Sequence, residues 1–139
     1  MNSENFGSRY YDLDHVLTGR INSRGYGSGY HYEHAANGSS RIAPSSIVRE
    51  AHGTYSAFVE IWDPARNVWV QKKSHNGIPL RSTFFPLDWS EARILYEVTE
   101  AFKAASVNPY GKWTGTTPGG LEVSGYAKSG RIAFFPTGR

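Results

Sequence analysis

The chain has no cysteine. That excludes disulfide frameworks, thiolate zinc sites, iron–sulfur clusters and cysteine nucleophiles together. No apolar run approaches the ~18 residues of a membrane-spanning helix. No basic-then-apolar leader opens the sequence, so a self-contained secretory precursor is not expected. Charged residues make up only 19% of the 139 positions, too few for a chain held unfolded by its own charge. There is no GxGxxG after a strand, no GxxxxGK[ST], no HExxH and no GxSxG elbow, so nucleotide-fold, zincin and α/β-hydrolase chemistry have no foothold.

What is present is aromatic and glycine-rich. Aromatics reach 14%, against 39% hydrophobic residues in total. Each buried ring removes roughly 150–250 Å² from water, so such a chain can still build a core. The formal net charge is +3, which mildly favours an anionic partner without identifying one. The length is that of one domain, or one domain with two lobes.

Residues 1–50 are polar and rich in Gly, Ser, Tyr and His, whereas later residues alternate apolar and polar. Turn-forming residues from Asn37 to Ser46 mark the expected internal boundary. Tyr10, Leu13 and Leu17 recur at helical spacing across RYYDLDHVLTG, with Gly19 as a stop. The stretch SRGYGSGYHYEH reads as loop and delivers His31 and His34. Tyr55–Trp62 and Val68–Lys73 read as a hairpin, the first with Tyr55, Ala57, Val59 and Ile61 on one face. A helix is predicted from about Trp89 to Ala105, capped by Asp88 with Glu91 three residues on. Its stripe is Ile94, Leu95, Val98, Ala101 and Phe102. A three-stranded meander closes the chain, turning at Pro118-Gly119-Gly120 and Lys128-Ser129-Gly130. Strands gathered around one helix predict an α+β fold.

Without thiols or a metal motif, histidine is the natural catalyst. Two imidazoles near neutrality can take and give a proton across a phosphodiester, with a lysine beside the charge that builds on phosphorus. His15 and His31 stand in open, glycine-flanked sequence, and Lys72 and Lys73 end a strand. Spacing alone leaves other readings open. The five histidines can be solvated bystanders, and His31 with His34 has the spacing of a metal pair.

A resemblance narrows the choice. WVQKKSHNGIPLRSTFFPLDWSEARILYEVTEAF resembles the signature of bacterial EndoU ribonucleases: a Trp-x-x-Lys strand, Ser-Thr-Phe-Phe-Pro, Trp-Ser and an amphipathic helix. WTGTTPGGLEVSGYAKSGRIAFFP resembles the family's closing strands. HVLTGRI and GSGYHYE resemble its two histidine motifs. The matches run in family order from His15 to Pro136.

The resemblance implies two small subdomains with the site in the cleft between them. Residues 1–48 would carry both catalytic histidines, and residues 49–139 the lysine and a stacking aromatic. His15 and His31 match the histidines, with His31 as general base and His15 as general acid. Lys72, three residues after Trp69, matches the lysine. Lys73 is the fallback, and the two point to opposite faces of the strand. Products would be a 2′,3′-cyclic phosphate and a 5′-hydroxyl. No cofactor is implied; manganese assists some relatives, but no ligand set is evident in this sequence.

Phe135 is the expected stacking residue, and Ser82 and Thr83 are expected to line the site unless they serve strand-end packing. Phe84, Phe85 and the four tryptophans are expected in the core, and His34, His52 and His75 at the surface. Relatives commonly end in Thr-x-Tyr-Pro, whereas this chain has Ala133-Phe134-Phe135-Pro136. Both hydroxyls are gone, so uridine preference is not expected to carry over, and a tRNA loop is the expected target. The resemblance further implies a toxic tip of a larger exported effector, acting in a target cell's cytoplasm and blocked by a cognate immunity protein. The rival expectations are an RNA-binding relative without activity and a β-rich interaction domain with incidental histidines.

Overall fold

A computed structural model describes residues 10–128 and 130–139. Its architecture is α+β: short antiparallel sheets packed with one main helix.

The first turn departs from expectation. Instead of a helix from Tyr10 to Leu17, there is one π-helical turn, Asp14–Thr18, ended by Gly19 at φ 80°; Arg9 lies outside the described residues. Tyr11 is the reason. It bridges to Ile132 of the last strand, its ring meets Phe134 edge-on at 5.2 Å, and its hydroxyl bonds Thr99. Burying that ring against the sheet takes residue 11 out of a helix too short to stand alone. The glycine-rich stretch also holds more structure than expected. β1 (Arg20–Ile21) and β2 (Gly27–Ser28) form a ribbon, closed by the Asn22 side chain accepting the N–H groups of Arg24 and Tyr26.

β5 (Tyr55–Asp63) is the spine of the larger sheet. Its second half pairs with β3 (Ser40–Ile42) and β6 (Val68–Gln71). Its first half pairs with β4 (Val48–Arg49) and β7 (Arg81–Phe84). The predicted alternation holds: Tyr55, Ala57, Val59 and Ile61 are all buried. Trp62 and Trp69 are not core residues as expected. They face each other across the hairpin, half-buried on the outer side, with rings 5.5 Å apart.

The main helix, α1 (Glu91–Ala104), buries Ile94, Leu95, Val98 and Ala101. Its cap is Ser90, not Asp88: the Ser90 hydroxyl accepts the Arg93 N–H at 3.1 Å. The Trp89 N–H bonds Pro86 O, which closes a tight turn and leaves Asp88 inside it, two positions short of the cap. α1 lies on the sheet of β8 (Lys112–Thr116), β9 (Glu122–Lys128) and β10 (Arg131–Pro136), ordered β10-β9-β8. The approach is close: a Cβ at Gly115 would sit 2.7 Å from the Ala101 carbonyl. Glu97, buried on α1, accepts the Gly119 N–H and ties down the Pro118-Gly119-Gly120 turn. The second predicted turn includes Ser129, outside the described residues.

Two cores result. One gathers α1, the meander, Tyr11, Val16 and Tyr32; the other gathers Tyr30, Phe84 and the inner face of β5. Both draw on residues before and after position 48. Neighbouring residues of the STFFP segment join them: Phe84 stacks on Tyr55 in one, and Phe85 packs on Trp89 and Phe134 in the other.

The cap reassignment is testable. We predict that Ser90→Ala lowers unfolding free energy by about 1 kcal/mol, within the ~0.5–2 kcal/mol range of N-caps. Asp88→Ala should stay within about 0.5 kcal/mol of wild type. Urea titrations of both variants check this, and the reverse ranking would return the cap to Asp88.

Candidate active site

The two histidines of the predicted pair are joined through the backbone. The Tyr30 N–H donates to the His15 carbonyl at 3.0 Å, and the His31 N–H to the Val16 carbonyl at 2.7 Å. This pairing requires glycine at position 29. Gly29 has φ +79°, and a Cβ there would stand 1.8 Å from the His15 oxygen. Tyr30 follows at φ 69°, a left-handed conformation of order 1–3 kcal/mol above the usual ones for a non-glycine residue. Its ring, buried edge-on against Phe84 at 5.0 Å, holds it there.

His31 is fixed at every polar backbone atom. Its carbonyl accepts the Phe85 N–H at 2.9 Å. On its ring, Nδ1 lies 2.6 Å from the Thr83 carbonyl. A carbonyl only accepts, so Nδ1 carries the proton and the neutral ring keeps its free lone pair on Nε2. Phe135 stacks on this imidazole, 5.6 Å between centroids and 28° between planes. His15 is more open, with Nδ1 3.2 Å from the Ser28 hydroxyl.

Lys72 completes the cluster. Its Nζ donates to the Gly29 carbonyl and to the Ser82 hydroxyl, each at 3.1 Å. Lys73 points away, its Nζ over the Tyr26 ring. Ser82, expected to line the site, is instead fully buried beneath it, where its hydroxyl donates to the Tyr30 carbonyl at 2.5 Å. The small hydroxyl is what allows Lys72 to fold down onto the floor of the cleft.

The cleft between the two larger sheets has a volume of about 360 Å³. His15, His31, Lys72 and Thr83 line one side; Phe135, Ala133 and Tyr126 line the other. The sequence reading missed Tyr126, which becomes visible only once the register sets it opposite Ala133. A larger concavity of about 630 Å³ lies elsewhere, lined by Glu33, Glu50, Tyr55 and Leu87. Its carboxylates suit no anion, and it has no histidine. His34 bonds the Leu87 carbonyl at the surface, and His52 and His75 are exposed. Among the described residues, no three His, Asp or Glu side chains converge on a metal position. These residues therefore offer no three-ligand set for a divalent cation such as manganese.

The electrostatics are dominated by burial. Desolvation, then the positive charges of Arg20 and Lys72, push His15 down to about 4, with Asp12 opposing. Burial, Lys72 and His15 hold His31 well below the ordinary imidazole range, against the pull of the Thr83 carbonyl. Burial brings Lys72 down to about 8. At neutral pH both imidazoles are therefore neutral and the lysine remains mostly charged. An anion entering the cleft raises all three.

Residues 10–138, which include every cleft residue named above, match the profile of the bacterial EndoU nucleases. The chain belongs to the bacterial EndoU nuclease family. Membership implies nuclease activity. A curated relative from Bacillus cereus, named "Toxin", is 31% identical over 115 residues, covering 82% of this chain. The alignment covers 19% of that protein, so this EndoU chain spans about a fifth of the relative's length. No solved structure matches the chain.

The depressed imidazoles set the acid stability of this EndoU chain. Unfolded, each histidine binds a proton near pH 6.5; folded, His15 does so only near 4. The histidine contribution is therefore nil above about pH 6.5, and stability falls as pH drops toward 4, by up to about 1.4 kcal/mol per pH unit for each histidine held neutral. We predict that a His15→Gln/His31→Gln double variant shows a flatter urea midpoint across that window than wild type. Equal slopes would show that the imidazoles are not held neutral by the fold.

Proposed function

We propose that this domain is a toxic endoribonuclease that cuts RNA by metal-independent transphosphorylation, with His31, His15 and Lys72 in the reacting roles. The observation that carries the reading is the pairing of a free His31 Nε2 with His15 and the Lys72 ammonium in one cleft lined, among the described residues, by no carboxylate. His31 Nε2 takes the proton of the ribose 2′-hydroxyl, and the 2′-oxygen attacks phosphorus. The bond from phosphorus to the 5′-oxygen breaks, and that oxygen takes a proton from His15. Lys72 neutralises charge on the non-bridging oxygens. The products are a 2′,3′-cyclic phosphate and a 5′-hydroxyl. His15 is protonated for this role when the bound phosphodiester supplies the opposite charge that the empty cleft lacks.

The substrate reading rests on Ala133 and Phe135. With neither a hydroxyl at 133 nor a phenol at 135, ring stacking is kept and base-edge selectivity is reduced. RNA shape then sets the target. A tRNA anticodon loop, single-stranded and splayed on a stiff stem, fits best. The relative named "Toxin", matched over a fifth of its length, supports a domain delivered as part of a larger effector into a target cell's cytoplasm. In its producer it is neutralised by an immunity protein that blocks the cleft. Among the described residues, no helix is long and apolar enough to cross a membrane.

We predict that His15→Ala, His31→Ala and Lys72→Ala each keep the fold and lose ~10²–10⁴-fold in cleavage, with losses that do not add. Chelator should leave cleavage intact, and product ends should carry the cyclic phosphate. Near-wild-type cleavage by a folded histidine variant, or 5′-phosphate ends lost with chelator, would defeat the mechanism.

The substrate is tested separately by mapping new 5′-hydroxyl ends in total bacterial RNA. Ends should cluster in tRNA loops without a common preceding uridine. Ends scattered through messenger and ribosomal RNA after uridine would show that the absent hydroxyls do not set the preference.

A further inference from the structure

The meander presents two faces by strict alternation. The row Trp113–Gly125–Phe134 points into the core under α1. The row beside it, Lys112–Tyr126–Ala133, points out, as does the row Thr114–Ser124–Phe135. Tyr126 is 42% exposed and Lys112 is exposed. Tyr126, Ala133 and Phe135 all open onto the cleft, so the outward face is continuous with the cleft rather than separate from it.

Phe135 and Tyr126 stand diagonally across two paired strands, with Ala133 beside both. Diagonal neighbours in an antiparallel pair lie about 7–8 Å apart. That is roughly twice the ~3.4 Å rise per stacked base, the width needed to hold one base between two rings. The residue at 133 is the floor of this slot. A methyl group leaves it open, and a β-branched hydroxyl residue would narrow it. Beyond Tyr126 the row ends in Lys112. Neither of these two rows holds a carboxylate; the next outward row, Thr116–Glu122, does. An aromatic followed by a cation, in rows without negative charge, is the pattern that single-stranded nucleic acid uses: rings for bases, ammonium for the phosphate between them.

We propose that the outward face of β8–β9–β10 is a strand track for RNA, on which one base next to the cut lies between Phe135 and Tyr126 over Ala133, and the adjoining phosphate meets Lys112. The track rests on the nuclease reading and adds to it the residues that hold the flanking nucleotides. Stacking without edge contacts makes the track tolerant of base identity. A single cation at its end makes its contribution to salt dependence small.

The test uses a short, uncleavable 2′-O-methyl RNA oligonucleotide, its affinity measured by fluorescence anisotropy across a salt series, beside cleavage of the ordinary RNA. Tyr126→Ala should weaken binding roughly 5- to 150-fold, the range of one lost base–ring stack. Tyr126→Phe should bind as wild type, since the ring is kept. Lys112→Ala should lower the salt slope by about one. Binding within twofold of wild type by Tyr126→Ala, with an unchanged slope in Lys112→Ala, would overturn the track while wild-type cleavage left the nuclease reading standing. A loss in Tyr126→Phe as large as in Tyr126→Ala would overturn stacking as its mode. A wild-type chain that neither bound nor cut RNA would overturn both readings.

Discussion

Two backbone hydrogen bonds organise this molecule: Tyr30 N–H to His15 O and His31 N–H to Val16 O. They lock the π-helical turn against the segment that carries the second histidine. They exist only because Gly29 lets the chains touch where any side chain would collide with the His15 oxygen. The Gly29 carbonyl, turned outward by the same conformation, accepts from Lys72 Nζ. One left-handed pair, Gly29-Tyr30, therefore sets the positions of both imidazoles and the ammonium. The two cores act as buttresses, with Tyr30 in one and Tyr32 in the other. His31 sits at the seam between them, and so does the cleft.

Placing three basic groups at a seam destabilises the empty protein. Each is desolvated, and the Lys72 charge opposes protonation of both imidazoles. Asp12, the acid that favours the His15 charge, is held by Arg20 in a paired bond at 2.6 and 2.8 Å. The fold therefore leaves the cluster with no counter-charge beyond this already paired one, in a space that admits an anion. Binding energy from that anion is available to protonate an imidazole at a pH where the free protein keeps it neutral. The same preorganised field acts on the charge that grows during reaction, without reorienting water.

Much of this was legible in the sequence, and the parts that were not share a cause. α1, the β5–β6 hairpin and the meander declare themselves by periodicity, because each buries one face against a single neighbour. Residues 10–50 do not, because their structure is fixed by remote partners: Tyr11 by Ile132 and Phe134, β3 by β5, Gly29 by His15. The histidines and Lys72 could be named from their motifs and from the strand's alternation, which turns Lys73 to the other face. Ser82 was misplaced because a small polar residue next to a motif reads the same whether it faces substrate or supports a lysine from below. Tyr126 was invisible for the opposite reason. Its strand was evident, but its opposition to Ala133 is a fact of register.

The same geometry bears on how the proposed proton transfers divide between the two imidazoles. A general base must present a lone pair in one fixed direction before reaction begins. His31 does so, since Thr83 O holds the proton on Nδ1 and Phe135 holds the ring plane. Every charged neighbour acting on it, Lys72 and His15, favours the unprotonated form. A general acid must instead hold a proton once substrate is bound and release it to an oxygen becoming negative. His15 is the more open ring. Asp12 favours its charged form, and the Ser28 hydroxyl at Nδ1 can accept from an imidazolium or donate to a neutral ring. Two chemically identical side chains are thus pushed toward different tasks by their neighbours. In the proposed reaction the Thr83 carbonyl and Lys72 suit His31 to the base's role, and Asp12 and Ser28, against Arg20 and Lys72, suit His15 to the acid's.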